Sequence, residues 1–335
     1  MRAIILYDDI GGNAEADERD TLDQVREVKR NLSALGYRVE LLSFGVDVRG
    51  LRDLLKRKRP DLVFNLIETR SGEGSSISMI PTLLDDLRIP YTGCPSESLY
   101  VTSNKLVAKQ LMKLAGIPTP EWMTPRDISG TKRGAFPLTV RPGSAFIIKS
   151  VWEHASIGID QRSIVYPKGS KELQLLLARR IQNGTGLFFA ERYIEGREFN
   201  LSLIEVDDEV CVLPPAEMKF FESGGGGLKI LSYRAKWDGG SSEYGKSQRC
   251  FRFDEADGQI LDQLKGLALR SWECFGLTGY ARVDFRVDGE KIFVLEINSN
   301  PCIAPDSGFV AAAEEAGIGY REMVRHIVDH PVSFY

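Results

Sequence analysis

The chain has 335 residues, with 43 Lys+Arg against 47 Asp+Glu and a formal net charge of -4, a near balance that excludes a strongly basic nucleic-acid binder. Its 43% hydrophobic content excludes a disordered chain, and its length implies two or three domains at roughly 100–200 residues each. No apolar run approaches the roughly 18 residues of a membrane helix, and the N-terminus turns acidic at Asp8 and Asp9, too soon for the apolar part of a signal peptide.

The first ninety or so residues alternate between strand and helix patterns. Residues 3–7 read as a buried strand. Residues 21–35 carry helical spacing through Leu22, Val25, Val28, Leu32 and Leu35 and stop at Gly36, a good residue just past a helix end. Strand 38–44, helix 48–58, strand 62–67 and helix 77–87 follow, and the chain returns at 89–92. Such alternation predicts an α/β unit, a doubly wound parallel sheet with helices on its faces. Its functional loops belong at the carboxyl ends of the strands, near 8–15 and 68–76. A helix over 96–115 closes at Gly116, with Pro118 and Pro120 beyond it. Short strands are expected at 139–141, 146–150, 158–165 and 187–192, with a helix at 171–180 between them. The last part predicts strands 199–206, 209–213, 281–287 and 291–297, a helix at 256–275, and final helices at 308–316 and 320–328. Gly224, Gly225, Gly226 and Gly227 lack a following Gly-Lys-Ser/Thr and read as a surface loop.

The five cysteines, Cys94, Cys211, Cys250, Cys274 and Cys302, form no C-x-x-C pair and are odd in number. That argues against a disulfide framework or a zinc knuckle and for the reducing cytoplasm. With only three histidines, a His-rich metal site is not expected.

The stretch 279–301 carries the most chemistry. It reads as a β-hairpin turning at Asp288 and Gly289, with side chains alternating between faces. Arg282 and Asp284 share one face of their strand, and Glu296 and Asn298 share one of theirs. A two-residue loop alone would put the two carboxylates on opposite faces. A three-residue loop, or a two-residue loop plus a bulge, pairs Asp284 with Val294 and Arg282 with Glu296. That register also gathers Val283, Phe285, Val287, Phe293, Leu295 and Ile297 on one apolar face, so it is the register expected. Asp284, Glu296 and Asn298 then form an all-oxygen cluster suited to a hard cation such as Mg²⁺, with Arg282 beside it. The plainer alternative is a surface hairpin with a cross-strand Arg–Glu pair. Lys149, before a small-residue loop over 152–158, and Glu191 and Glu198, around Gly196, fit a nucleotide site, although each alone is an ordinary surface residue. Lys105 and Lys109, four apart on one helix face, read as solvent-facing charges.

These residues resemble the ATP-grasp superfamily, and within it the D-alanine–D-alanine ligases, over nearly the whole chain. The similarity runs through 63–67 (Val-Phe-Asn-Leu-Ile), 89–93, 104–120, 146–149 with 155–158, 281–285 (Ala-Arg-Val-Asp-Phe), 295–301 (Leu-Glu-Ile-Asn-Ser-Asn-Pro) and 316–320. The resemblance implies an ATP-grasp fold behind an N-terminal doubly wound domain, divided as 1–95, 96–188 and 189–335. It implies an ATP-dependent carboxylate–amine ligase working through an acyl phosphate, with ADP and phosphate as products. Lys105, Lys149, Glu191, Ile194 and Glu198 would hold ATP, and Lys236 would meet the γ-phosphate. Asp284, Glu296 and Asn298 would bind two Mg²⁺, with Mn²⁺ as a substitute. Arg282 and the backbone N–H of Cys302 would stabilise the oxyanion, with Ser156 in the closing loop. Ser307 and Gly308 would hold the acceptor's carboxylate. The partners implied are small amino acids or related carboxylates and amines, with no nucleic acid or membrane, and a homodimer is the usual assembly of such ligases.

Four departures lie near the amino-acid pockets. The family's Gly-Gly-x-Ser-x-Glu loop is here Gly11-Gly12-Asn13-Ala14-Glu15, so Glu15 either grips the first ammonium or is a plain surface residue. Trp237 replaces a Tyr, Cys302 a Gly, and Glu153-His154-Ala155-Ser156 the usual Glu-Gly-Ser-Ser. Amide ligation is therefore a firmer expectation than D-alanine as substrate. A ligase joining other small molecules and a non-catalytic nucleotide-binding module are the alternatives.

Overall fold

The computed structural model describes residues 1–10, 16–45, 47–68, 74–125, 140–152, 161–183, 186–221 and 247–334. Glu15, Ser156, Lys236, Trp237 and the four-glycine run lie outside them.

The first sheet is parallel, with β1 (Arg2–Asp8) between β2 (Arg38–Phe44) and β3 (Leu62–Leu66). Alternation along β1 sends Ala3 and Ile5 to one face and Ile4 and Leu6 to the other. Val25, Val28 and Leu32 of α1 (Ala16–Ala34) cover the first face. Leu51 and Leu55 of α2 (Val48–Lys58) and Ile80 and Leu84 of α3 (Met79–Leu87) cover the second. The unit is doubly wound, as its alternating pattern predicts. The return at 89–92 contributes isolated bridges, Tyr91 with Val63 and with Val332, rather than a strand.

The single helix expected over 96–115 is two, α4 (Ser96–Ser103) and α5 (Lys105–Leu114). Asn104 breaks it: the residue is extended (φ -80°, ψ 95°), and its side chain accepts from Leu106 N and Val107 N, each at 3.1 Å. An Asn N-cap satisfies two orphan donors of a new helix, which competes with continuing the old one. The break turns Lys105 inward, and its own N–H donates to Val151 O.

The second sheet is antiparallel in the order β4 (Trp122–Met123), β7 (Phe188–Arg192), β5 (Phe146–Ser150), β6 (Ile164–Val165). Leu173 and Leu177 of α6 (Ser170–Asn183) pack on Phe146, Ile148 and Ala190. Of the strand expected over 158–165, residues 158–160 lie outside the described residues; among the rest Ile164 and Val165 pair, after a 3₁₀ turn at Gln161–Ser163.

The third sheet runs β11 (Ser247–Cys250), β10 (Ala216–Phe220), β8 (Arg197–Val206), β12 (Tyr280–Asp288), β13 (Lys291–Asn298), with β9 (Glu209–Val212) also on β8. One face is apolar: Phe199, Leu201, Leu203, Val283, Phe285, Val287, Ile292, Val294 and Ile297. It packs on Ala108 and Met112 of α5 and on Leu264, Ala268 and Trp272 of α7 (Gly258–Cys274). Helices α8 (Gly308–Glu315) and α9 (Tyr320–Asp329) share a core with α1, so the chain's two ends pack together.

The hairpin register differs from the expected one by two residues. A two-residue turn pairs Asp288 with Lys291, with Gly289 at φ +57° as such turns require. A bulge then leaves Leu295 unpaired, so Asp284 faces Glu296 and Arg282 faces Asn298. The carboxylates share a face as expected, but they oppose each other directly. The bulge also switches the apolar set: Ile292 and Val294 are buried where Phe293 and Leu295 were expected.

Candidate active site

The opposite face of the third sheet is polar. Register and alternation place Glu198, Asn200 and Ser202 of β8 beside Arg286, Asp284 and Arg282 of β12, with Glu296 and Asn298 of β13 beyond. Asn200, Asp284 and Glu296 stand in line across three strands. Asp284 Oδ1 accepts from Asn200 Nδ2 at 2.7 Å and from Arg282 Nε at 2.8 Å. Its Oδ2 accepts from Arg282 Nη2 at 2.9 Å and from Asn298 Nδ2 at 3.2 Å.

Two carboxylates directly opposed on neighbouring strands repel unless positive charge lies near. Arg282 offsets Asp284, and Lys105 Nζ lies 3.9 Å from Glu296 Oε2. With Asn298 donating its nitrogen to Asp284, its Oδ1 joins two carboxylates as a third oxygen donor. Hard divalent cations take such a set. Among the described residues no group of three His, Cys, Asp or Glu forms a metal cluster elsewhere.

Facing this row is a set of buried ammoniums. Lys105 and Lys109, read from sequence as solvent-facing, are 7% and 1% exposed. The helix break at Asn104 and the packing of α5 against two sheets carry them inside. Lys109 Nζ lies 2.7 Å from Glu191 Oε2 and donates to Thr119 Oγ1 at 2.8 Å, and Lys149 Nζ pairs with Glu191 Oε1. Burial opposes the Glu191 charge, but the two ammoniums outweigh it and hold its pKa below the ordinary value. Burial pulls Lys149 down, and the Glu191 carboxylate more than restores it. For Lys109 burial prevails over Glu191, with Lys149 adding its like charge, and the pKa is lowered. The group carries two positive charges against one negative in a buried place, which favours an incoming anion.

Both oxygens of Glu191 thus face lysines, Oε2 toward Lys109 and Oε1 toward Lys149. Ile194 lies buried in the connector from β7 to β8. Glu198 is held by Arg286, Nη2 to Oε2 at 2.7 Å. Gly196 shapes this connector. Its φ is +136°, and a Cβ there would stand 2.1 Å from Val287 O, so only glycine fits.

Ser307 caps α8, its hydroxyl accepting from Val310 N at 3.2 Å, and Gly308 opens that helix. Arg249 of β11 reaches the same corner, donating from Nη1 to Asp306 O at 2.7 Å, with Nε 3.4 Å from where a Cβ on Gly308 would be. Cys302 follows β13, with its thiol donating to Asp20 Oδ2 at 2.9 Å. Burial pushes that thiol well above its usual pKa, and Glu68 and Asp20 add to the effect. Nearby, Ile303 N donates to Gln24 Oε1, Gln24 Nε2 to Glu68 Oε1, and Glu68 N to Asp8 Oδ2. These join the carboxyl ends of β1 and β3 to the turn after β13, where a doubly wound sheet places its ligands.

The structure thus brings together Arg282, Asp284, Glu296, Asn298, Lys105, Lys149 and Glu191. Ser307, Gly308 and Cys302 sit toward the N-terminal sheet. Four residues went unassigned in the sequence. Arg286 was legible from its parity with Arg282 and Asp284, and Lys109 from its spacing to Lys105. Asn200 and Arg249 carry no local signal.

A profile described as D-ala D-ala ligase C-terminus matches residues 111–329. The D-alanine--D-alanine ligase of Rhizobium meliloti (strain 1021) is 30% identical over 306 residues, covering 89% of this chain and 88% of that protein. The Aquifex aeolicus (strain VF5) enzyme of the same name is 27% identical over 98% of this chain and 100% of its own. The crystal structure of the Bacillus anthracis D-alanine--D-alanine ligase complexed with ATP superposes with a TM-score of 0.72 at 20% identity, covering 98% of this chain and 96% of that one, which establishes the fold. The chain belongs to the D-alanine–D-alanine ligase family, ATP-grasp proteins that use ATP and a divalent metal ion to form a C–N bond.

Proposed function

We propose that this chain joins the carboxylate of one small amino acid to the amine of a second, with the first carboxylate activated as an acyl phosphate. The observation that carries this is the polar row Arg282, Asp284, Glu296 and Asn298, set on one sheet face beside the ammoniums of Lys105, which is buried, and Lys149, which is half-buried. A carboxylate oxygen of the donor attacks the γ-phosphorus as the bond to ADP breaks. The acceptor's amine, having lost a proton, attacks the acyl carbon, and the bond to phosphate breaks. When bound, divalent cations supply charge neutralisation at the phosphate oxygens.

The chain's residues do the rest. Asp284, Glu296 and the Asn298 oxygen hold the metal, which we take as two Mg²⁺ ions, with Mn²⁺ able to replace them. Lys105 and Lys149 bind phosphate oxygens, Glu191 orients Lys149, and Ile194 and Glu198 meet the base and ribose. On the family resemblance, Lys236 meets the γ-phosphate and Ser156 takes part in catalysis. Arg282, steered by Asp284, meets the oxyanion of the tetrahedral intermediate with the Cys302 N–H. Ser307 and Gly308 take the acceptor's carboxylate, and Glu15 the donor's ammonium. The three-part division at 95 and 188 belongs to this reading, with β7 straddling the second boundary. All five cysteines are free thiols, which supports a cytoplasmic setting, and no helix among the described residues is long and apolar enough to cross a membrane. The assembly proposed is a homodimer, on the family resemblance.

D-alanine, named for the relatives, is the first substrate to try on both sides. The departures at Cys302, Trp237 and 11–15 fall in segments that the family resemblance assigns to the amino-acid pockets, so the panel must be wider. The test is ADP release with Mg²⁺ and panels of D- and L-amino acids, with products read by mass. Amino-acid-dependent ADP release together with a dipeptide mass supports the reading. ATP binding with no amino-acid-dependent ADP release from any panel contradicts it and favours a binding module.

A further inference from the structure

We infer that Arg286 is the positioning residue of the ribose contact, holding the Glu198 carboxylate at a fixed angle; the inference rests on the reading of this face as the nucleotide site. Arg286 follows Asp284 by two residues on the polar face, and the register of β12 with β8 sets it opposite Glu198. Its side chain is 4% exposed. Nη2 donates to Glu198 Oε2 at 2.7 Å and Nη1 to Gly196 O at 3.1 Å. The rings of Tyr193 and Phe220 each lie 5.8 Å from its guanidinium carbon. One planar fork thus ties a side chain of β8 and a carbonyl of the β7–β8 connector to the metal-binding strand.

An unrestrained Glu has three rotatable bonds, and ordering it on ligand binding costs affinity. A charge-assisted bond to a buried guanidinium fixes it in advance. Among the described residues Glu198 Oε1 has no hydrogen bond, so that oxygen remains to accept from ribose hydroxyls. The guanidinium also balances a carboxylate that would otherwise repel a triphosphate. A purely structural arginine would support the sheet equally well but would not tune how a sugar hydroxyl is read.

The test compares ATP with 2′-deoxy-ATP on the full-length protein, through KM in the ADP-release assay and Kd by calorimetry. Wild type should prefer ATP. Arg286→Met should weaken ATP by about tenfold, with the loss in KM rather than kcat, and bring the ATP to 2′-deoxy-ATP ratio near one. Arg286→Lys keeps a point charge and should retain part of the preference; it decides the matter if the Met variant does not fold. Glu198→Gln should lose the preference, and adding Arg286→Met to it should lower the ratio no further. A wild-type preference that persists undiminished in Arg286→Met or Arg286→Lys overturns the inference alone. A wild type that binds both nucleotides equally overturns it through the Glu198 assignment, and one that binds no ATP overturns the nucleotide reading itself.

Discussion

Replacing Glu191 with Gln removes the carboxylate that two buried ammoniums share. The Glu191 side chain is 1% exposed and those of Lys109 and Lys149 are 2% and 13%, so water screens little of what remains. Breaking a buried ion pair by deleting one partner costs on the order of 3–5 kcal/mol. The Gln amide still accepts a hydrogen bond, which argues for the lower end, about 3 kcal/mol, with the two lysines left facing each other. Urea unfolding followed by tryptophan fluorescence reads the loss, with Trp122, whose ring lies 5.8 Å from Lys109 Nζ, one of its four reporters. Adding Lys109→Met should recover part of it, because one of the stranded charges is then gone. The same site sets a pH dependence. Its two lysines lower the folded pKa of Glu191, so the carboxylate stabilises the fold above its unfolded pKa of about 4.3 and stops doing so as pH falls through the folded value. Wild type should therefore lose more stability than Glu191→Gln on acidification below about pH 4. A Glu191→Gln change within about 0.5 kcal/mol of wild type, as at an ordinary surface site, would refute the buried-triad account.

Asp284→Asn or Glu296→Gln should lower turnover by at least about 10²-fold, the scale seen for loss of one charge-stabilising group, with an unaltered circular dichroism spectrum; near-normal activity in either would contradict the metal assignment. Lys149→Ala should raise the KM for ATP more than that for either amino acid, and an unchanged ATP KM counts against its phosphate contact. Asn104→Ala should cost about 1 kcal/mol by removing the cap of α5, measured by urea midpoint, and should raise the ATP KM because Lys105 follows it directly. Gly196→Ala should destabilise by more than about 2 kcal/mol, since its Cβ meets a backbone oxygen at a φ that L-residues avoid; a normal melting profile would show that the connector can relax.

The parts of the fold that repeat a local pattern were readable in advance. β2 and α2 end where their apolar spacing ends, and the doubly wound unit follows from strand–helix alternation alone. What escaped depended on partners far along the chain. β10, with Glu217, Lys219 and Phe220, has no clean period, because the charged Glu217 is buried against Arg197 instead of being turned to solvent. The bulge at Leu295 leaves no mark in a run of six residues that are mostly apolar, yet it decides which of them face the core. Asn104 is the residue that breaks the helix, but helical spacing continues across it and hides the break. For the site, alternation was enough to bring Arg282, Asp284, Glu296 and Asn298 to one face. The burial of Lys109 was not, since its counter-charge lies 82 positions away at Glu191. Arg249 stayed hidden because its strand did.

The proposed chemistry requires Asp284, Glu296 and Asn298 to hold divalent metal against nucleotide phosphates. Crystals grown with a non-hydrolysable ATP analogue and Mn²⁺, examined by anomalous scattering, test this directly. The account predicts manganese peaks at about 2.0–2.3 Å from oxygens of those three side chains, bridging to phosphate oxygens. A nucleotide bound with no manganese within reach of Asp284 and Glu296, or manganese held elsewhere on the chain, would contradict it.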